Sequence, residues 1–214
     1  MSTSTTRTPR RLVVVQAGVG QPSSTRLLAE RLATGTVDAL LERGEEAVVE
    51  YVDLRLHVHE LAIAMLTGFA SGALAEAVEA VRGADAVIAA TPVYQASYSG
   101  LFKSFVDILE DGSLKGTPVL LAATAGTARH SLVLEHAMRP LFAHLKAVTV
   151  PTAVFAASED WGAGGIDEGL ASRTTVAAGE LADLVSGSRT TRRAPARLDG
   201  ELDDPVPFEQ LLAG

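Results

Sequence analysis

Asp85-Ala86-Val87-Ile88-Ala89-Ala90-Thr91-Pro92-Val93-Tyr94-Gln95-Ala96-Ser97-Tyr98-Ser99-Gly100 decides the fold, because an apolar run ends inside it and a helix begins just beyond it. Asp85–Ala90 is short, rich in aliphatic residues and almost uncharged, as expected of a parallel strand covered on both faces. Pro92 has no N–H to give to a ladder and biases Thr91 away from helical dihedrals, so the sheet is expected to stop there. Past Gly100, Leu101, Phe102, Phe105, Val106 and Leu109 fall at helical spacing, with Lys103, Asp107 and Glu110 on the other side. The stretch therefore reads as a central strand opening into a loop at the carboxyl edge of an α/β sheet, where ligands of open sheets sit.

On either side the chain alternates apolar runs with amphipathic ones. Leu12–Val15 is the first strand, ending at Gln16-Ala17-Gly18. The loop Gly18–Thr25 leads into a helix carrying Leu28, Leu32, Val37, Leu40 and Leu41 and closing at Gly44. Ala47–Val52 is the second strand; His57–Ser71 has no clean period and reads as short helical pieces; Leu74, Val78 and Val81 mark a helix ending at Gly83. Asp111-Gly112 is a turn, and Val119–Ala123 is a fourth strand ending at Thr124–Thr127. The helix over 131–144 contains Pro140 well inside its length, which predicts a kink or a π-type register break. Val148–Val150 and Ala153–Ala156 form a fifth strand interrupted by Pro151, and Leu170, Ala177, Leu181, Leu184 and Val185 mark the last helix. Five strands alternating with helices imply a five-stranded parallel sheet with right-handed crossovers, in the flavodoxin-like order 2-1-3-4-5. One domain is expected over 11–186, after a disordered lead-in over 1–10. The tail over 187–214 turns from basic (Arg189, Arg192, Arg193, Arg197) to acidic (Glu201, Asp203, Asp204), and its Phe208, Leu211 and Leu212 are candidates for docking.

Composition narrows the function classes. A net charge of −8 over 214 residues argues against a nucleic-acid or anionic-membrane surface. Without cysteine there is no disulfide, thiolate metal site or Cys nucleophile, which fits a reducing cytoplasm. No apolar run approaches the ~18 residues of a membrane span, and the Arg-containing N-terminus lacks the apolar core of a signal peptide. The five histidines do not group as a metal set.

Three loops are expected at one sheet edge, and each suits a different part of one ligand. Gly20, Ser23, Ser24 and Thr25 offer hydroxyls and free N–H groups at a helix start, an anion site that serves equally as an ordinary N-cap. Gly18-Val19-Gly20 lacks the third glycine of a dinucleotide fingerprint. Pro92, Val93 and Tyr94 offer a surface to a flat ring, with Ser97, Tyr98 and Ser99 for polar edges. Thr124, Ala125, Gly126 and Thr127 are small enough for backbone N–H groups to approach a ring's polar side. Each of the last two is also a plausible plain strand-to-helix turn.

Thr91–Lys103, Leu120–Thr127 with His130, and Glu135-His136-Ala137-Met138-Arg139-Pro140-Leu141 together closely resemble the NAD(P)H-dependent FMN reductases of two-component monooxygenase systems, over roughly Leu12–Ser186. The chain resembles in particular the reductases that serve alkanesulfonate and methanesulfonate monooxygenases and an actinobacterial branch paired with luciferase-like monooxygenases. The resemblance implies a flavodoxin-like fold, FMN as cofactor or substrate, a reduced nicotinamide nucleotide (NADH or NADPH) as donor, and delivery of reduced FMN to a separate oxygenase. It also implies a homodimer or homotetramer. By motif, the first loop takes phosphate, Pro92, Val93 and Tyr94 meet the isoalloxazine, and Ala125, Gly126 and Thr127 reach its pyrimidine side. His136 aligns with the residue whose insertion makes a π-helix at a subunit interface in these reductases. The first loop departs from the family's Gly-Ser-x-Arg-x-x-Ser form, with Val19 and Gln21 near the serine and arginine positions. No residue is assigned to acid–base catalysis, because the cofactors carry the hydride chemistry. Two other functions share the fold: a quinone or azo-compound reductase, and a non-enzymatic flavodoxin-type electron carrier.

Overall fold

The computed structural model describes residues 8–162 and 165–187. The lead-in before residue 8 and the tail after residue 187, with Phe208, Leu211 and Leu212, lie outside the described residues. Arg10, expected in the lead-in, opens the first strand.

In chain order the elements are β1 (Arg10–Gln16), α1 (Ser24–Glu42), β2 (Ala47–Asp53), α2 (Val58–Thr67), α3 (Gly72–Arg82), β3 (Ala86–Tyr94), β4 (Ser97–Tyr98) and α4 (Gly100–Asp107). They continue with β5 (Pro118–Ala125), a π-helical turn over Leu134–Met138, α5 (Arg139–His144), β6 (Val148–Thr149), β7 (Val154–Ala157), β8 (Trp161–Gly162), β9 (Gly165–Ile166) and α6 (Glu168–Gly187). The main sheet runs β2-β1-β3-β5-β6 in parallel, with β7 also parallel to β5 and β4 antiparallel to β3. Five positions in the flavodoxin-like order 2-1-3-4-5 are therefore present, but seven strands build them. The fifth position is divided at Pro151, and Glu180 of α6 holds the break by accepting hydrogen bonds from the Thr152 N–H (2.7 Å) and hydroxyl (2.8 Å).

The expectation that the sheet ends at Pro92 is corrected: β3 runs on to Tyr94 and pairs Pro92 with Thr124 of β5. Backbone polar groups alternate sides along a strand, and the Ala90 carbonyl bonds the Ala17 N–H on the β1 side at 3.1 Å. Pro92, two residues on, directs its missing N–H to that same side, where β1 has already left the sheet. No ladder bond is lost.

Alternation along β1, β3 and β5 sends side chains to two cores. Val13, Val87 and Leu121 join Phe102, Phe105 and Phe142 under α3, α4 and α5, whereas Val14, Ile88 and Leu120 pack with Leu28, Leu32, Ala177 and Leu181 under α1 and α6. Strands covered on both faces are apolar at nearly every position, and this is why the sequence runs were uniform rather than alternating. Gly35 lets α1 and α6 approach closely, since a Cβ there would lie 3.2 Å from the Ala178 Cβ.

The π-type break expected near Pro140 is present one turn earlier. The Arg139 N–H bonds the Leu134 carbonyl five residues back, and Pro140, the second residue of α5, has no N–H to give to that wide turn. Arg139 fixes the turn. Its guanidinium donates to both Glu135 oxygens (2.6 and 2.9 Å) and also to Thr149 Oγ1, the Val150 carbonyl and the Pro151 carbonyl.

Candidate functional site

Parallel register brings the carboxyl ends of the strands to one edge: Gln16 of β1 stands beside Asp53 of β2 and Ala90 of β3, and Pro92 stands beside Thr124 of β5. The three loops meet there. Thr25, in the first turn of α1, is buried and its hydroxyl lies 2.7 Å from that of Thr124, so the first and third loops are joined by a direct hydrogen bond. Neither hydroxyl is exposed to an incoming ligand; this pair holds the edge together.

Ser23 is the N-cap of α1, accepting from the Arg26 N–H at 3.2 Å. The N–H groups of Ser24 and Thr25 have no protein acceptor among the described residues, as the first N–H groups of a helix have no intrahelical carbonyl to bond. Gly18 has no room for a side chain: a Cβ there would lie 2.0 Å from Ser23 Oγ. Gly20 is exposed at the loop tip. The loop walls an open cleft of about 290 Å³, whose far side is Arg26, Asp53 and Arg55 and whose floor is Gln16. Sequence reasoning missed these four. The available signal was the strand order itself, which puts the end of β2 beside the end of β1.

Charge in the cleft is mixed. Asp53 accepts from the Arg55 N–H (3.1 Å) and pairs with the Arg55 guanidinium (3.3 Å). Arg26 pairs with Glu30 at 2.7 Å, which raises the pKa of the guanidinium above its usual value, with Asp53 and Tyr51 adding to the effect. Burial pushes the Tyr51 phenol up as well.

The second loop is a two-residue hairpin. Val93 pairs with Tyr98 and Tyr94 with Ser97, and the turn residues Gln95 (φ 49°) and Ala96 (φ 65°) are both left-handed. Tyr94 is 50% exposed on this hairpin, and Val93 is half-buried beneath it. Ser99, expected as a polar edge, is buried and works as the N-cap of α4, accepting from the Phe102 N–H at 3.2 Å while its own N–H donates to Thr91 Oγ1 at 3.0 Å. Tyr98 stacks at a tilt on Phe102 (6.1 Å), and Phe102 on Phe142 (6.2 Å), which ties the hairpin to α4 and α5.

In the third loop Ala125 ends β5, and Gly126 and Thr127 are exposed, their N–H groups free of protein acceptors among the described residues. Arg129, His130 and Leu132 follow on the exposed surface, and His136 is exposed on the π-helical turn.

Comparison with known proteins gives this edge a family. The chain matches the NADPH-dependent FMN reductase family over residues 10–162. It is 36% identical over 180 residues to an FMN reductase (NADPH) of Pseudomonas aeruginosa, covering 84% of this chain and 94% of that one. It is 35% identical over 195 residues to the NADH-dependent FMN reductase SfnE of Pseudomonas putida, covering 87% and 98%. A crystal structure of an oxidoreductase from Corynebacterium diphtheriae superposes with a TM-score of 0.80 at 44% identity, covering 84% of this chain and 98% of that one. The chain belongs to the NADPH-dependent FMN reductase family.

Proposed function

We propose that this protein reduces FMN with NADH or NADPH and hands the reduced flavin to a separate flavin-dependent monooxygenase. The observation that carries the reading is the meeting of three unlike loops at one sheet edge, each matched to one part of FMN. Gly20, Ser23 and the free N–H groups of Ser24 and Thr25 suit the phosphate, and the close approach of Gly18 to Ser23 leaves the backbone bare for it. Of the three residues expected against one face of the isoalloxazine, half-exposed Tyr94 and half-buried Val93 suit it, whereas Pro92 is buried. The N–H groups of Gly126 and Thr127 suit its pyrimidine edge, where they would stabilise negative charge. When bound, FMN supplies the hydride acceptor and the reduced nicotinamide the donor. The protein's part is orientation: the buried Thr25–Thr124 hydrogen bond joins the first and third loops, the register of Pro92 with Thr124 sets the second beside them, and the Thr91–Ser99 contact holds the second loop together.

Assembly and location follow the same reading. Leu56, Ile63, Leu66 and Phe69 expose apolar surface on and around α2, with Leu66 88% and Phe69 78% accessible, which suits burial in a homodimer or homotetramer. His136 on the π-helical turn is given an assembly role, which the oligomeric state of His136→Ala tests. No helix among the described residues is long and apolar enough to cross a membrane, and the cytoplasm is the proposed compartment.

Anaerobic oxidation of NADH and NADPH, with and without free FMN, tests the activity. Rapid oxidation that requires FMN and accumulates reduced flavin in solution is expected. Tight FMN binding with negligible nicotinamide oxidation refutes a reductase and leaves an electron carrier, and faster reduction of quinones or azo compounds than of FMN refutes the flavin-delivering role.

A further inference from the structure

We propose that the groove between α1 and α6 is a docking site for a later segment of this same chain, the stretch over 203–213, seated through Phe208, Leu211 and Leu212. That segment lies outside the described residues, and the groove lies outside the flavin cleft.

The groove is open, holds about 490 Å³ and is lined by Leu27, Arg31 and Thr34 of α1 with Ala171, Thr174 and Thr175 of α6. Its threonines are already satisfied. Thr34 Oγ1 donates to the Glu30 carbonyl (3.0 Å), and Thr174 and Thr175 both donate to the Ala171 carbonyl (2.7 and 3.0 Å). With each hydroxyl proton spent on its own helix, these walls have no donor left to offer a polar occupant, and Leu27 is left 41% exposed among them. The segment supplies what such a groove takes. Phe208, Leu211 and Leu212 stand at i, i+3 and i+4, the spacing of one helical face, just after Asp204-Pro205, a helix-start pair.

Charge gives the direction. The two helices run side by side from the carboxyl edge of the sheet downward, Gly35 meeting Ala178 and Arg43 meeting Asp183. Leu27, Arg31, Asp38 and Glu42 share one stripe of α1 by helical spacing. At its upper end Arg31 makes no ion pair among the described residues, and at its lower end neither does exposed Asp38 or Glu42. The chain leaves α6 at the lower end and presents Arg189, Arg192, Arg193 and Arg197 first, then Glu201, Asp203, Asp204 and Glu209. Turning back along the helices, it sets its arginines beside Asp38 and Glu42 and its acidic run beside Arg31.

Length allows this path. Gly187 ends α6 about 20 Å beyond the groove at 1.5 Å per residue, and the roughly 20 residues from Gly187 to Phe208 span about 25 Å on average without being stretched. The apolar surface of α2 belongs to the layer on the other face of the sheet, away from the helix that delivers the segment.

The chain has no cysteine, so paired substitutions report position directly. Thr34→Cys with Ala213→Cys puts one thiol in the groove and one beside Leu212; Leu66→Cys with Ala213→Cys puts the first on α2 instead. In the full-length protein under mild oxidation, the groove pair is expected to close an intramolecular disulfide at least about tenfold faster than the α2 pair, and adding Phe208→Ser and Leu211→Ser to slow it by about tenfold. Arg31→Glu should slow it too, by less at high salt. A second readout needs no cysteine: trypsin cleavage after Arg197 should be at least about tenfold slower in wild type than in the Phe208→Ser, Leu211→Ser variant. Equal rates for the two pairs, a groove disulfide indifferent to the loss of Phe208 and Leu211, or equally fast cleavage of both proteins overturns the inference. A faster α2 pair overturns it by assigning the segment to α2. A disulfide between chains that rises with protein concentration overturns it by assigning the groove to a second copy.

Discussion

Substituting Gly18 by alanine tests the geometry of the first loop most sharply. The added methyl would lie 2.0 Å from Ser23 Oγ and 3.0 Å from both Gln16 Oε1 and Thr25 Cβ. Ser23 Oγ must move, and the Arg26 N–H loses the acceptor that caps α1, at a cost of about 1 kcal/mol. The two remaining contacts are tight but not prohibitive, adding about 1–2 kcal/mol of crowding. Gly18→Ala should therefore destabilise by about 2–3 kcal/mol, and Ser23→Ala by about 1 kcal/mol through the cap alone. Once Ser23 Oγ is gone, nothing else lies closer than 3.0 Å to the new methyl. The double variant should then cost only about 2–3 kcal/mol, roughly 1 kcal/mol less than the sum of the singles, because the lost cap is counted once. Urea unfolding at a common m-value measures all three. Additivity within about 0.3 kcal/mol, or a Gly18→Ala variant as stable as wild type, would refute the close approach of Gly18 to Ser23.

Three further perturbations probe other parts of the frame. Thr25→Val leaves the Thr124 hydroxyl buried without its 2.7 Å partner and should cost about 1–3 kcal/mol; Thr25→Val with Thr124→Val should recover part of that loss, and a double variant worse than the sum would contradict the pairing. Arg139 holds the Glu135 carboxyl below its usual value of 4.5, chiefly through its hydrogen bond; that stabilisation is complete above 4.5 and is lost as pH falls through the lower folded value. With Glu135 half-exposed the effect stays below about 1 kcal/mol, and Glu135→Gln should differ from wild type in urea midpoint at pH 7 but not near pH 2; an equal difference at both would refute the linkage. Ala96 sits at φ 65° in the hairpin turn, so Ala96→Gly should relieve strain worth up to about 1 kcal/mol and raise the melting temperature. An unchanged or lower melting temperature would show that the turn is unstrained.

Much of this architecture was legible because the parallel strands are buried on both faces and their apolar runs are interrupted by glycine and proline at the right places. Pro140 disclosed the register break before α5, and Pro151 the division of the fifth strand. Pro92 misled for a physical reason: a proline forbids a ladder bond only toward a neighbour that is still present, and whether β1 persists beside Pro92 is a three-dimensional fact. The hairpin at Gln95-Ala96 carries no turn signature, since neither residue is glycine or asparagine and the left-handed turn is imposed by its surroundings. Ser99 and Thr25 stand at the strand ends, but their hydroxyls are buried, one in a cap and the other in an inter-loop contact. Asp53 and Arg55 lie some thirty residues from the first loop and declare themselves only when β2 is set beside β1 in register.

A crystal structure of the FMN complex would test the central claim most directly. The account predicts the phosphate at the start of α1 within hydrogen-bonding distance of Ser23, and the isoalloxazine between the Pro92–Tyr94 segment and the Ala125–Thr127 loop. A flavin bound away from this edge, or with its phosphate outside the Gln16–Arg55 cleft, would contradict it.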